Sequence, residues 1–378
     1  MAFLDRGNAG PLPCGRMPLS RRLGLWFSQS PVQGLCTAAV LGLLSYPAAA
    51  RAGKLDLELL NLCPGSSRTL SGGQGSECGW VGRGGDGKVT GAQPDLEGET
   101  RFRSLMSELG MVMAPSIVTP ADTIGFAGFQ ISAELGLTQI NNKAEYWDGV
   151  KGVAPQNRLA DRPAAWLTTI GMFVRKGIWL PVPSMEVGAG VVHLLQSQLI
   201  AYQAYAKLAI HEGFQDWPLP SVAGRAAVSH VTGTDQVRLD IASLDVLASK
   251  AFGIGGTFRA EPFGGWSYLM IKAKSGVIDA TPGCDGFLSN SGSAGGAFCG
   301  PVRPDNDLAA NFSFPDQDTI IRTRFFGGMK LKFSAVFIAA QYEYIGAGRS
   351  RDVSKTSAGA RDGSEKQARV SLSGGFDF

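Results

Sequence analysis

Apolar and polar residues alternate through most of the chain from about residue 124 to its last residue. The pattern is clearest in 367–378, where one parity is apolar or small and holds Ala368, Val370, Leu372, Gly374, Phe376 and Phe378. The other parity holds Gln367, Arg369, Ser371, Ser373 and Asp377. Because side chains of a strand alternate with period two, this pattern predicts a closing strand with one apolar and one polar face.

Alternation of the same kind predicts a series of strands before this one. We place them at 124–140, 165–176, 185–191, 200–210, 221–230, 236–250, 252–275, 319–331 and 334–344. The first of them puts Phe129, Ile131 and Leu135 on one face and Gln130, Ser132 and Glu134 on the other, and is long enough to cross a bilayer at a tilt. The chain is therefore predicted to be all-β after residue 120.

The phase of the pattern changes inside 236–250. Leu239 and Ile241 share one parity, whereas Leu244, Val246 and Ala248 share the other. One extra residue near Ser243, a β-bulge, would keep both apolar sets on one face. Such a bulge predicts that Asp240 and Asp245 both point to the polar face.

A strand that ends on a C-terminal Phe resembles the closing strand of Gram-negative outer-membrane β-barrels. The resemblance implies that Phe376 and Phe378 belong to an assembly signal read by the barrel assembly machinery, and that outer-membrane lipid surrounds the chain. Gly374 departs from the class, because that position is more often bulky. The implied fold is a transmembrane antiparallel up-and-down β-barrel of about ten strands, within a range of 8–14, at 121–378.

Strand number in that class is even, the chain ends lie in the periplasm and long loops lie outside. Segment 252–275 fits either one long strand or a hairpin that turns at 262–265. One kinked strand gives ten strands and places the Gly- and Ser-rich segment 276–317 outside. Two strands would give an odd total of eleven strands and would place 276–317 on the periplasmic side. We therefore predict one kinked strand.

The first 52 residues have the layout of a secretory signal peptide. Arg16, Arg21 and Arg22 precede an apolar run at 35–46, and an Ala-rich stretch ends at Ala52. Translation could begin at Met1 or at Met17. Cleavage after Ala52 predicts an exported chain located in the outer membrane of a Gram-negative bacterium.

Between the signal peptide and the barrel, 53–120 is predicted to be a non-barrel segment, either periplasmic or inside the lumen. Apolar residues at helical spacing predict a short helix at 102–113 that plugs the barrel, lines it or rests beneath it. Cys63 and Cys78 bracket a Gly-rich stretch, and Cys284 and Cys299 lie in 276–317. After export, each pair is expected to form a disulfide.

Composition alone fits a β protein in lipid and a soluble β-sandwich about equally, and the positions of aromatic and charged residues favour lipid. Charged residues make up 18% of the chain and glycines number 51, as suits a β protein in lipid, although a soluble β-sandwich would also alternate. The apolar faces carry aromatic residues near strand ends, as an interfacial girdle would, at Trp166, Tyr202, Tyr342, Tyr344, Phe376 and Phe378. The polar faces carry charges of both signs that would face the lumen, namely Glu134, Lys207, Arg225, Asp240, Arg322, Arg324 and Glu343.

Enzymatic chemistry is not predicted. The three histidines, His193, His211 and His230, have no fixed spacing to a Ser, Asp or Cys, and nucleophile-elbow and zinc motifs are absent from the sequence. His193 and His230, with Ser229 and Asp235 nearby, fall near the outer strand ends, where a hydrated rim is the simpler interpretation. We expect no cofactor, no metal and, with a formal charge of +3, no nucleic-acid partner.

Two functions remain open. A barrel this small leaves little lumen once it is filled by side chains, which favours a monomer with a structural or surface-interaction role carried by its outer loops. The alternative is a narrow channel or transporter for small or hydrophobic solutes, gated by the N-terminal segment.

Overall fold

The computed structural model describes residues 53–62, 96–153, 158–179, 184–212, 219–254, 258–279, 311–348 and 360–378. The segments assigned to the signal peptide and to both predicted disulfides lie outside these residues. Structural statements below concern the described residues.

Ten antiparallel strands close into a barrel. They are β1 (Phe129–Gln139), β2 (Trp166–Ile178), β3 (Met185–Leu194), β4 (Ile200–His211), β5 (Ser221–Thr232), β6 (Val237–Ser249), β8 (Phe258–Ser275), β11 (Ile320–Phe333), β12 (Val336–Ile345) and β13 (Gln367–Asp377). Each strand pairs with the next, and β13 pairs with β1 from Gln130↔Asp377 to Thr138↔Arg369. The last predicted strand therefore closes the ring, which leaves no free sheet edge.

Within segment 252–275, residues 258–275 form a single barrel strand, β8, without a turn at 262–265, so the segment contributes one member to the ring as expected, although the strand starts six residues later. Its first residues fold back on a short strand, β7 (Phe252–Ile254), which adds no member to the ring. Two further short strands, β9 (Ile278–Asp279) and β10 (Asn311–Phe312), pair with each other outside the barrel sheet. The prediction of an all-β barrel of ten strands is confirmed.

The two faces of the barrel wall differ in chemistry. Every barrel strand carries exposed apolar residues on its outward face, as Leu372 (β13), Ile338 (β12) and Val228 (β5) illustrate. Inward residues are buried and many are polar or charged. An apolar belt of this extent on a folded surface needs lipid rather than water beside it, and the fold is that of an outer-membrane β-barrel.

The predicted bulge in β6 is wrong. β6 pairs with β5 and with β8 without a register shift, so Asp240 faces outward while Leu239 and Ile241 face inward. Asp245 does face inward. The phase of the pattern changes because the lumen beside Leu239 and Ile241 is apolar, where both residues belong to a core shared with the N-terminal helix.

The two ends of the barrel are distinct. We name the outer end as the one with the long connections 140–165, 276–319 and 346–366. The inner end carries the connections 179–184, 212–220 and 334–335, together with Phe129 and Phe378. In barrels of this kind the long loops face outside.

The main helix, α1 (Leu96–Val112), precedes the barrel. Glu97 and Glu99 in its first turn suit the positive end of the helix dipole. It ends shortly before Pro115, since the residue before a proline is disfavoured in helical conformation. A short helix α2 (Arg158–Asp161) and 3-10 turns at Leu59–Leu62 and Glu145–Asp148 complete the helical elements.

None of the described helices combines the length and apolar character that a membrane crossing would require.

Candidate functional site

The N-terminal residues lie at the outer end of the barrel. Leu55 N–H donates to Gln196 O between β3 and β4 (3.0 Å), and Leu59 N–H donates to Gln236 Oε1 between β5 and β6 (2.7 Å). Leu57 forms an isolated bridge with Val150 in the β1–β2 connection. Residues 53–62 therefore sit at the end opposite to the C-terminal Phe378.

Helix α1 lies in the outer mouth of the barrel. Its residues Phe102, Leu105 and Met106 are fully buried in one core with inward residues of the wall. Gly110 permits close approach to β8, because a Cβ there would lie 2.7 Å from Ile271 Cδ1. The helix is not part of the wall, but its apolar side explains why the outer part of the lumen is lined by apolar residues.

One buried carboxylate joins α1 to the β1–β2 connection. Glu108 accepts hydrogen bonds from Tyr146 Oη (2.6 Å), Trp147 Nε1 (2.8 Å) and Asn141 N–H (3.2 Å). Burial raises the pKa of Glu108 above its ordinary value, and these three donors oppose the rise. Burial also raises the pKa of Tyr146, and the Glu108 charge adds to that rise.

Two other outer connections hold the opposite side of α1. Ser107 Oγ donates to Asp362 Oδ2 (2.8 Å) in the β12–β13 connection and accepts from Arg322 Nη1 (2.9 Å). Arg103 Nη1 donates to Asp318 O (3.1 Å), just before β11. The helix is thus fixed by polar contacts to three separate outer segments.

After α1 the chain runs through the lumen to the inner end. Residues 102–121 are buried without exception. We call 113–122 the luminal segment. Among the described residues, no backbone hydrogen bond joins 115–122 to a barrel strand. Buried carbonyls need other donors, and side chains of the wall supply them.

These donors come from polar and cationic side chains that point inward. Ser229 and Gln203 donate to Met113 O, and Gln203 also reaches Ala114 O (3.2 Å). Arg324 Nη2 donates to Pro115 O (2.9 Å), and Arg225 donates to Ser116 O. Farther towards the inner end, Arg175 Nη1 donates to Val118 O (3.3 Å). Lys207 Nζ donates to Pro120 O (3.1 Å) and Asp122 O (2.9 Å).

The same four cations pair with inward carboxylates of the wall, as Glu134–Arg175 (3.2 Å), Glu186–Lys207 (3.1 Å), Asp245–Arg225 (3.0 Å) and Glu343–Arg324 (3.2 Å). A fifth inward cation, Lys330, pairs with Asp377 (3.0 Å). Each cation that binds the luminal segment therefore has a carboxylate that compensates its charge. A buried charge without such a partner would be strongly destabilising.

The structure places six of the seven predicted lumen-facing charges in the lumen: Glu134, Lys207, Arg225, Arg322, Arg324 and Glu343. Asp240 does not belong with them. It lies on the outward face, where its carboxylate contacts His230 Nδ1 (2.5 Å) and Arg238 Nε (3.2 Å). The expectation was wrong because the polarity of the two faces is reversed near the outer end of β6, where the inward residues Leu239 and Ile241 are apolar and the outward residues Arg238 and Asp240 are charged.

Several residues of this network were absent from the predicted set. Arg175, Glu186, Lys330, Arg369 and Gln203 share the inward parity of their strands, so parity alone could have named them. Glu108 gave no comparable signal, because a single acidic residue on an amphipathic helix usually faces water. Phe376 and Phe378 lie outward and exposed at the inner end, and their role as an assembly signal stays a prediction.

The residues considered for catalysis are not brought together. Ser229 faces the lumen and donates to Met113 O (2.8 Å), whereas His230 faces outward. His193, on β3, is separated from β5 by the intervening β4. The described residues contain no group of three or more His, Cys, Asp or Glu side chains that could hold a metal ion.

A polar cleft of about 870 Å³ opens at the outer end beside β5 and β6. Its lining includes Asp56 of 53–62, Lys151 of the β1–β2 connection, Gln198 of the β3–β4 connection and Asp235 of the β5–β6 connection. His230 and Arg238, near the ends of β5 and β6, also line it.

No family model matches the chain, and no curated protein matches it. Among solved structures, the chain is similar to Ail, the attachment invasion locus protein of Yersinia pestis, at 11% identity over 67% of this chain and 99% of that chain, with a TM-score of 0.22. It is also similar to Neisserial surface protein A (9% identity, 66% and 95%, TM-score 0.25) and to Omp33 of Acinetobacter baumannii (8%, 66% and 99%, 0.21). Scores this low carry no argument, and the barrel assignment rests on the strand pairing itself.

Proposed function

We propose that this protein is a sealed outer-membrane barrel whose role is structural or surface interaction through its outer end, rather than diffusion of solutes. The observation that carries the proposal is the occupied lumen. Side chains at mid-barrel are screened from water on both sides, with exposures of 0% for Arg324 and 1% for Lys207 and Glu343.

The proposed location is the outer membrane of a Gram-negative bacterium, after cleavage of a signal peptide. The apolar belt around all ten strands and the signal-like residues 1–52 support it. With the ring closed and no sheet edge free, the barrel needs no second copy, which supports a monomer. Lipid and the barrel assembly machinery are the proposed partners.

The outer end offers a structured surface for interaction. Residues 53–62, α1 and three connections are joined there by hydrogen bonds and by a shared core, with Trp147 and Leu62 fully buried. A preorganised surface loses less conformational entropy on binding than free loops do.

Conductance in planar bilayers tests the sealed lumen. We expect the full exported chain to show no steps, because the luminal segment fills the barrel. Deletion of residues 53–116 removes α1 and the first four residues of that segment, and is expected to produce discrete ohmic steps. Deletion of residues 53–62 alone is the matched control, since it leaves the luminal segment in place, and should stay silent.

A gated narrow channel is the second candidate. It is favoured by the absence of backbone pairing between 115–122 and the wall, since the segment could then leave the lumen without breaking the sheet. Voltage-dependent steps in the full chain would support this candidate and overturn the first. Silence in both the full chain and the 53–116 deletion would show that the wall collapses or fills by itself.

A further inference from the structure

Charged residues on the outward wall are confined to few places. At the outer end, the outward faces of β1, β2, β4, β11, β12 and β13 carry no charge among the described residues, and β3 carries only His193. In contrast, β6 carries Arg238 and Asp240 outward, and β8 carries Lys272 and Lys274. The charges therefore form one sector instead of a ring.

We call Arg238, Lys272 and Lys274 the outer cationic patch. Arg238 lies directly opposite Lys274 in the β6–β8 register, and Asp240 lies opposite Lys272. Opposite residues of an antiparallel pair are about 5 Å apart, and residues two apart on one strand about 7 Å. Three cations thus fall within the reach of one or two phosphate groups.

Ion pairs within the protein neutralise only part of the positive charge of the outer cationic patch. Arg238 contacts Asp240 (3.2 Å), and Lys274 contacts the exposed Asp316 (2.8 Å). Lys272 has no ion pair or hydrogen bond within the described part of the chain. Asp240 also contacts His230, so this carboxylate is shared between two cationic neighbours when the imidazole is protonated.

The surroundings of the patch change sharply along the strands. Towards the membrane, the next outward residues are apolar, namely Ala242 and Leu244 on β6 and Met270 on β8. In the other direction lies the polar cleft of about 870 Å³, which is lined by His230 and Arg238. Its Asp56 carboxylate is occupied by the N–H groups of Gly53 and Gln198, both at 2.7 Å. Along the strands, from the membrane outwards, the surface therefore changes from an apolar stretch at Ala242, Leu244 and Met270, which we call the apolar lane, to the cationic patch and then to the polar cleft.

We propose that this sector binds a phosphorylated glycolipid of the outer leaflet. Acyl chains would lie along the apolar lane, phosphates would contact Arg238, Lys272 and Lys274, and the sugar would face the cleft. Basic side chains at a membrane surface attract anionic headgroups in this way. The assignment rests on the proposed outer-membrane location, because only there would the patch meet such a lipid.

The test uses the full exported chain, folded in detergent and titrated with bisphosphorylated lipid A under native mass spectrometry. We expect the R238Q/K272Q/K274Q variant to bind about tenfold to a hundredfold more weakly, given the contribution of each basic residue near an anionic surface. The matched control is K176Q/K250Q, which removes two basic residues at the inner end and should bind as the unmodified chain does. Heat-modifiable gel mobility shows that each variant is folded.

Two further arms identify the source of the phosphate. Dephosphorylated lipid A is expected to bind the unmodified chain as weakly as bisphosphorylated lipid A binds the triple variant. Inorganic phosphate in excess should leave lipid A bound, and displacement would reassign the patch to a soluble phosphate. Equal binding by the unmodified chain and the triple variant would overturn the proposal. Cell fractionation is independent, so a chain absent from the outer membrane would refute the location instead.

Discussion

At the residue scale, Lys207 links the wall of the barrel to the luminal segment. Its ammonium group contacts Glu186 Oε2 (3.1 Å) on β3, and both side chains are completely buried. It also donates to the carbonyls of Pro120 and Asp122. Tyr205 Oη donates to the other oxygen of Glu186 (2.6 Å), so that both carboxylate oxygens are hydrogen-bonded. Such a pair tolerates neutral replacement better than loss of one member.

Replacement K207A should therefore destabilise the folded barrel by about 3–5 kcal/mol, because it leaves the Glu186 carboxylate buried without its cation. The free energy of unfolding can be measured by urea titration in lipid vesicles with tryptophan fluorescence. The double variant E186Q/K207M is the control and should be less destabilised than K207A alone. If the double variant is the less stable of the two, Glu186 does not depend on Lys207 for its charge compensation.

At the element scale, the strands could be predicted from the sequence because one face meets lipid and the other meets a polar interior. The ends of β4 and β13 were predicted within one residue. β6 could not be assigned correctly, because its inward face meets the apolar side of α1 near the outer end while its outward face carries Arg238 and Asp240 there. Period-two alternation shows that the two faces differ, but it does not show which of them faces the lumen.

The path of the N-terminal segment could not be predicted from the sequence, for a different reason. Its stability in the lumen comes from single side-chain donors spread over β2, β4, β5 and β11, and each lies far away in the chain. Long-range contacts of this kind leave no periodic signal. The helix itself was predictable from apolar spacing, whereas its position at the outer mouth required the contacts of Glu108 and Ser107.

Strand β3 requires glycine at two positions on its inward face. A Cβ at Gly188 would lie 2.3 Å from Tyr205 Cε1, and a Cβ at Gly190 would lie 2.2 Å from Phe173 Cδ1. These glycines leave room for two large rings on the neighbouring strands β4 and β2. The ring of Tyr205 is in turn stacked under Arg225, whose guanidinium carbon lies 4.3 Å from the ring centre.

Replacement G188A should displace Tyr205 and cost about 1–3 kcal/mol, the usual range for overpacking a filled interior. Heat-modifiable gel mobility across a temperature series gives the midpoint of unfolding, which should fall. The control is G224A on β5, where an added Cβ meets nothing within 4 Å. If both replacements lower the midpoint equally, the cause is the loss of a glycine from a strand and not the contact with Tyr205.

At the scale of the whole molecule, the chain passes through its own barrel. Residues 53–62 lie at the outer end, the luminal segment crosses to the inner end, and β1 then starts there at Phe129. Both ends of the connection 63–95 are therefore held at the outer end, since Leu62 belongs to the core around α1 and Thr100 Oγ1 accepts from Arg361 N–H (3.4 Å). For a barrel in the proposed membrane, that end faces the exterior of the cell.

An epitope inserted between Gly84 and Gly85 is accordingly expected to be labelled by antibody on intact cells. The same epitope placed at 181–183, in the inner-end connection between β2 and β3, should be labelled only after the outer membrane is permeabilised. Labelling of 181–183 alone on intact cells would invert the assigned orientation. Protection of both sites on intact cells would instead contradict the placement of Leu62 and Thr100, which flank 63–95, at the outer end.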